Sequence, residues 1–119
     1  MLLNANLSAG DFLDRYSILQ IKLSHGLEVA DELMVYEAQL DRFESRGLAV
    51  FLAIIKSINL QLWALEDEKR SSLSRNTSEY NNVSELITLL NDLRYQTKKR
   101  IDSYFKSEIT EKKSHKELK

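Results

Sequence analysis

The sequence contains no proline and only three glycines in 119 residues. Strands need turns, and turns draw on both residues, so this scarcity favours long helices and an all-α fold. Cysteine is also absent, which excludes disulfides, thiolate metal ligands and cysteine nucleophiles. The two histidines are too few for a zinc site, and no catalytic motif surrounds them. We therefore expect neither a bound metal nor a cofactor.

The sequence also lacks a long apolar run. Its longest apolar stretch, LAVFLAII, is too short to cross a bilayer, and the N-terminus has neither the basic segment nor the apolar run of a signal peptide. Hydrophobic residues make up 43% and charged residues 29% of the chain, which is typical of one soluble domain. These features predict a cytoplasmic protein that does not contact a membrane.

Charge is distributed unevenly along the chain. Residues 91 to 119 hold nine Lys or Arg and five Asp or Glu, whereas residues 1 to 90 hold eight and thirteen. No aromatic residue lies among the basic ones after Phe105, so single-stranded nucleic acid has no stacking platform there, and we expect no nucleic-acid partner. The simpler interpretation is that the acidic and basic parts pair with each other, within one chain or between chains.

Apolar residues recur at spacings of three and four in four separate segments. The predicted helices cover about residues 8 to 24, 27 to 45, 48 to 72 and 82 to 105. Two tight turns and one Ser/Asn-rich loop join them, so the expected architecture is an antiparallel four-helix bundle. The bundle domain would comprise residues 1 to 106, and a short charged C-terminal segment would follow over residues 107 to 119.

Helix ends are predicted from local signals. Ser8 is the expected N-cap of the first helix, and Gly26 supplies the left-handed residue that ends it. Gly47 is expected to close the second helix, and Asn82, with Glu85 three residues later, to begin the fourth. Because the first helix is shorter than the third and fourth, part of their apolar surface would stay uncovered. We therefore expect a homo-oligomer, a dimer or higher.

The fourth helix carries a charged group where an apolar one is expected. Arg94 falls inside its broad apolar face, and Asn91 and Lys98 lie at the edge of that face. A guanidinium in a core must find a carboxylate, because an unpaired buried charge costs several kcal/mol. The third helix offers Glu66 beside its apolar face, so we expect Glu66 and Arg94 to meet. Around this pair we expect Asn59, Arg70, Asn91 and an acid of the first helix, Asp14 or Asp11. The residues expected to point inward are Val83, Leu86, Leu90, Leu93, Ile101 and Tyr104.

Polar residues border the apolar faces of the first and third helices as well. Together with those of the fourth helix they define a candidate polar cluster: Asp11, Asp14, Arg15, Lys22, Asn59, Trp63, Glu66, Arg70, Asn91, Arg94 and Lys98. Taken singly, each is most simply a structural residue, such as a snorkelling cation or a core aromatic. Taken together, they either fix the packing of the bundle or bind something polar.

Three blocks of the sequence resemble those of a small family of uncharacterised bacterial proteins. LSAGDFLDRYSILQIK is similar to that family's opening pattern, V-S-x-G-E-L-I-D-K-x-T-I-L-x-I-K. The family's N-x-x-L-W-x-I-E-D-x-x-R matches the segment from Asn59 to Arg70. Its N-D-x-R followed by K-R-x-I-N is similar to the segment that starts at Asn91, through Asn91, Asp92, Arg94, Lys98, Lys99 and Ile101. Asp102 stands where the pattern has its last Asn. The family has no established activity, and the resemblance implies a shared structural or binding role for the polar cluster.

Functions of three classes remain open at this point. The first is a non-enzymatic oligomeric module that interacts through its helices or holds a small anionic ligand. The second is a Mg²⁺-dependent nucleotide pyrophosphohydrolase of the MazG type, which needs paired acidic motifs on facing helices. The only candidates in this sequence are Glu28-x-x-Asp31, Glu66-Asp67-Glu68 and Glu108-x-x-Glu111. These motifs form no consistent pair. The third is an all-helical mutase of the chorismate type, in which Arg and Lys clamp a dicarboxylate. The sequence favours the first.

Overall fold

A computed structural model of the chain describes the backbone of residues 7–117 and the side chains of residues 7–106. The chain forms four α-helices and one short 3₁₀-helix, and no strand occurs within residues 7–117, so the all-α prediction is confirmed. The elements are α1 (Ala9–Ser24), α2 (Ala30–Glu37), the 3₁₀-helix (Leu40–Arg42), α3 (Ser45–Ser71) and α4 (Ser78–Glu117).

The predicted ends of α1 are confirmed. The Ser8 hydroxyl accepts a hydrogen bond from the backbone N–H of Asp11 at 3.1 Å, which satisfies one of the free donors of the first turn. At the other end Gly26 has a φ of 81°, and the N–H of Leu27 reaches back to the carbonyl of Lys22 at 3.1 Å. This left-handed glycine and the backward hydrogen bond terminate the helix together.

The second predicted helix is too long at both ends. The α-helix covers only Ala30–Glu37, and the chain then turns through the 3₁₀-helix before α3 begins at Ser45. Gly47 does not close α2; it lies in the first turn of α3. The carboxylate of Glu44 caps that turn by accepting hydrogen bonds from the N–H groups of Arg46 and Gly47, at 3.0 and 2.6 Å. A side-chain cap three residues upstream therefore outweighs the helix-ending preference of glycine.

The start of α4 also differs from the prediction. The helix begins at Ser78, four residues before Asn82, because the Thr77 hydroxyl caps it by accepting from the N–H of Tyr80 at 3.1 Å. From there α4 runs for 40 residues without a break to Glu117, so it passes through the start of the charged C-terminal segment as one helix. At 1.5 Å per residue it is about 60 Å long, and the molecule is accordingly elongated, 64 × 29 × 23 Å.

The core lies between three long helices. Asn59 contacts Asp14 and Trp63 contacts His25, so α1 runs parallel to α3. Gly10 contacts Asp102 and Asp14 contacts Arg94, so α1 runs antiparallel to α4. A larger apolar cluster, which includes Phe12, Tyr36, Ile55 and Phe105, fills the end where α2 packs on α1. A smaller one, around Ile58 and Ile87, joins α3 to α4 at the other end. The buried polar residues lie between these two clusters.

One side of the α3–α4 pair is open. On α4, Leu86 and Leu93 were predicted to point inward, but they are 48% and 42% exposed, whereas Ile87, which belongs to the same predicted apolar face, is buried. On α3, an apolar 18-residue window has a mean hydropathy of 1.8 and is only 22% buried. By length and composition α3 is therefore able to span a bilayer, a test that core helices of soluble proteins also pass. The expectation of no membrane contact stays a prediction.

Candidate functional site

The most buried charged group in the described part of the chain is the carboxylate of Asp14 on α1, which is 2% exposed. Arg94 on α4 approaches it with the flat edge of its guanidinium. Its Nε donates to Oδ1 at 2.8 Å and its Nη2 donates to Oδ2 at 2.6 Å. This two-point contact is the strong geometry for an arginine–carboxylate pair, since both donors match both acceptors.

Asn59 on α3 completes the buried network. Its side-chain amide donates to Asp14 Oδ1 at 2.9 Å and to the Ser17 hydroxyl at 2.8 Å. Ser17 in turn donates its own proton to the carbonyl of Asp14 at 2.7 Å, so its oxygen is available only as an acceptor. Both neighbours of the amide are therefore acceptors, which fixes Asn59 with its NH₂ group inward. The network connects α1, α3 and α4 through a single carboxylate.

A second ion pair flanks the first at the surface. Lys98 donates to Asp11 at 2.8 Å and lies 3.8 Å from Asp14, so one cation lies beside two carboxylates. The hydrogen bond from Lys98 lowers the pKa of Asp11 below its usual value. The hydrogen bonds to Asp14 raise the pKa of Arg94, which stays charged at every accessible pH. The cluster is thus a balanced set of two acids and two bases.

An open groove of about 260 Å³ lies beside this network, between α1, α3 and α4. Its apolar wall is formed by Ile18, Ile21 and Leu62. Its polar lining is formed by Asn59, Trp63, Glu66, Arg70, Asn91 and Arg94. Trp63 is additionally packed against the ring of His25, with 4.8 Å between ring centroids. One wall of the groove is therefore a stripe of α3 residues at spacings of four, three and four: Asn59, Trp63, Glu66 and Arg70.

The predicted pairing of Glu66 with Arg94 is wrong. Arg94 pairs with Asp14, and Glu66 is exposed and makes no ion pair within 4 Å in the described part of the chain. The helical wheel gives the direction of each residue around its own helix but not the height at which two helices meet. Asp14 lies level with Arg94 because α1 crosses α4 at that height, and the resulting pair is better buried than a pair with Glu66 would be.

The other candidate residues occupy outer positions. Arg15 is exposed and Lys22 half-buried, and neither makes an ion pair among residues 7–106. Arg70 lies 3.7 Å from Asp67, in a pair that is about two-thirds exposed and contributes little. Asn91 is exposed at the mouth of the groove. The candidate residues therefore divide into a buried network, a surface ion pair, a groove lining and two outlying cations.

Sequence reasoning missed two polar residues that hold α1 in place. Ser17 is fully buried and receives the amide of Asn59. Asp102 accepts a hydrogen bond from the backbone N–H of Gly10 at 2.6 Å, which joins α4 to the first turn of α1. Serine is too common for its position to signal burial.

The described residues contain no group of three or more His, Asp or Glu side chains that could hold a metal ion. Glu28, Asp31 and the run from Glu66 to Glu68 therefore form no such group, and the third acidic motif, Glu108-x-x-Glu111, lies outside the residues whose side chains are described. Comparisons of the chain with family models, curated proteins and solved structures found no match. Two features of the described chain bear on function: the groove and the open side of α3 and α4.

Proposed function

We propose that the protein is a non-enzymatic helical module that assembles into a homodimer along α4. The observation that supports this is a row of α4 residues spaced alternately by three and four, all of them exposed: Glu79, Asn82, Leu86, Leu89, Leu93, Gln96 and Arg100. We call this row the α4 seam. Its three central leucines are 42% to 54% exposed. A heptad spacing with leucine at successive positions is typical of a helix that packs against another helix.

The charges at the two ends of the α4 seam favour an antiparallel pair of identical chains. Glu79 lies at one end and Arg100 at the other, with the leucines between them. In an antiparallel pair centred near Leu89, Glu79 of one chain lies within reach of the partner's Arg100, and this contact occurs twice. A parallel pair would instead bring like charges together, which is unfavourable.

The charge of the whole helix supports the same orientation. Residues 78 to 91 carry two acidic residues and no basic one, whereas residues 92 to 106 carry five basic and two acidic residues. Of these five, Arg94 and Lys98 pair with acids of α1, and Lys99 and Arg100 are exposed. Antiparallel packing places the acidic half of one helix beside the basic half of the other. A second copy therefore matches the face in both hydrophobicity and charge, as a twofold interface requires.

The open side of α3 would enlarge this interface. Val50 and Ile54 are 53% and 43% exposed and lie one turn apart on α3. Burying them with the leucines of the α4 seam would cover apolar side chains on both helices of each chain. At about 25 cal/mol per Å² of apolar surface, a contact of about 800 Å² per chain suffices for a stable dimer.

The proposal is tested by the mass of the protein in solution, measured by sedimentation equilibrium at micromolar concentration. We expect the wild-type chain to have twice the 13.8 kDa mass of one chain, and Leu89→Glu to have the single-chain mass. Met34→Glu is the matched control, since Met34 on α2 is even more exposed, at 64%, but lies off the α4 seam; it should remain dimeric. A monomeric wild-type chain that sediments with liposomes would mean that the open face binds lipid, and the proposal would be wrong.

A further inference from the structure

We propose that the groove binds a small 2-amino carboxylate with an apolar side chain. This inference is independent of the dimer, since every residue that lines the groove lies off the α4 seam. The volume of about 260 Å³ corresponds to roughly nine water molecules at ~30 Å³ each. That space suits a ligand of amino-acid size and is below the usual range for larger cofactors.

Asn59 supplies the first observation that indicates a ligand. It is 5% exposed, and its NH₂ group is held inward by two acceptors, the carboxylate of Asp14 and the hydroxyl of Ser17. Its carbonyl oxygen accepts no hydrogen bond from the described residues, although the side chain lines the groove. A deeply buried amide that lines an open groove and whose acceptor has no partner among the described residues is suited to a donor from a bound molecule.

Arg94 supplies the second observation. Its Nε and Nη2 are engaged by Asp14, which holds the guanidinium rigid, and Nη1 forms no hydrogen bond among residues 7–106. A guanidinium fixed in this way loses no further side-chain freedom when it binds an anion. Arg70, on the same lining, adds a second cation at the rim. Together they offer donors for a carboxylate.

The remaining lining determines the rest of the ligand. Glu66 is a carboxylate without an ion-pair partner in the described chain, and with the Asn59 oxygen it offers two acceptors for an ammonium group. Arg94 is paired with Asp14, and Arg70 lies 3.7 Å from Asp67, so neither cation is left without a counter-charge and a ligand that is neutral overall fits better than a simple anion. Trp63 and Leu62 form a surface for an apolar side chain.

Binding is measured by the fluorescence of Trp63, which is the only tryptophan of the chain and lies in the groove. The probe is L-phenylalanine, excited where phenylalanine does not absorb. We expect a saturable change with a Kd of about 1 mM or tighter, as a ligand of this size allows. Phenylalaninamide, which lacks the carboxylate, and 3-phenylpropanoate, which lacks the ammonium group, should each bind at least about tenfold more weakly.

Variants at the exposed rim separate binding from folding. Arg70→Gln and Glu66→Gln should each weaken phenylalanine about tenfold while leaving the helical circular dichroism unchanged. Glu68→Gln, an exposed α3 glutamate outside the groove, should bind as the wild type does. The proposal is overturned if phenylalanine gives no saturable change, or if the two rim variants bind as tightly as the Glu68 control. If 3-phenylpropanoate binds as tightly as phenylalanine, the ammonium group does not contribute to binding, and the claim that the ligand is a 2-amino carboxylate is wrong.

Discussion

Asp14 and Arg94 lie 80 positions apart in the chain, and the guanidinium of Arg94 donates two hydrogen bonds, at 2.8 and 2.6 Å, to the carboxylate of Asp14. The two residues are not equally buried. The Asp14 side chain is 3% exposed, whereas that of Arg94 is 31% exposed and reaches the groove. The buried carboxylate of Asp14 therefore depends on Arg94 for its hydrogen bonds, while the guanidinium of Arg94 retains donors for other partners. Both the stability of the bundle and the character of the groove follow from this asymmetry.

Removing Arg94 should destabilise the fold more than any other change at the site. Arg94→Met leaves the buried carboxylate of Asp14 without its main partner, and we expect a loss of about 3 kcal/mol in the free energy of unfolding. The double variant Asp14→Leu/Arg94→Met should lose less than the sum of the two single variants. Urea unfolding of all three measures this. Glu66→Ala is the control, because Glu66 was predicted to pair with Arg94 but does not. It should lose less than about 0.5 kcal/mol in the free energy of unfolding.

Asn59→Asp should also destabilise the bundle, although the two side chains have the same shape. The new carboxylate would replace the amide that donates to Asp14 and Ser17, and it would place a second negative charge against Asp14. We expect a loss of about 2 kcal/mol or more near neutral pH, which shrinks in acid as the new carboxyl becomes protonated. Asn91→Asp makes the same chemical change at an exposed position and should be nearly silent. Equal losses in the two variants would contradict the network.

Gly10→Ala should destabilise the protein, although replacing a helical glycine by alanine usually stabilises it. Alanine normally stabilises a helix by about 0.5–1 kcal/mol relative to glycine. A Cβ at Gly10, however, would collide with the backbone carbonyl oxygen of Lys98 and lie 2.9 Å from the Asp102 carboxylate. We expect a net loss of about 2 kcal/mol in urea unfolding. An alanine variant as stable as the wild type would mean that α1 and α4 are further apart than described.

Glu44 should contribute to the acid sensitivity of the fold. The hydrogen bond from the N–H of Gly47, with a further one from the Tyr104 hydroxyl, lowers the pKa of Glu44 below its usual value of 4.5. A lowered folded-state pKa stabilises the fold above pH 4.5, and this stabilisation is lost as the pH falls through the folded pKa. The melting temperature of Glu44→Gln should therefore fall less steeply in acid than that of the wild type. Glu32→Gln, at an exposed residue of α2 without a hydrogen bond in the described chain, should follow the wild type.

The sequence was sufficient to predict the all-α class and the ends of α1. Those features depend on local chemistry: the scarcity of proline and glycine, the hydroxyl of Ser8 and the left-handed Gly26. The boundaries near α3 were missed because two local rules compete there. Gly47 favours a helix end, while the Glu44 carboxylate caps a helix start, and only the packed structure reveals which one prevails.

The partner of Arg94 and the outer face of α4 could not be predicted from periodicity. Periodicity places residues around one helix axis, but it leaves the relative heights of two helices undetermined, so Glu66 and Asp14 were equally compatible with Arg94. It also yields one broad apolar face for α4 without separating the part that packs on α1 and α3 from the part that stays open. Leu86 and Ile87 are neighbours in that face, yet only Ile87 is buried.

An antiparallel homodimer along the α4 seam can be detected by cysteine cross-linking, because the natural chain contains no cysteine. Chains with Leu86→Cys and chains with Leu93→Cys are made distinguishable in mass, mixed, oxidised and separated on a non-reducing gel. We expect the disulfide to form mainly between a Leu86→Cys chain and a Leu93→Cys chain, since in the antiparallel dimer Leu86 of one copy lies opposite the partner's Leu93. Disulfides mainly between chains of the same kind, or none at all, would contradict it.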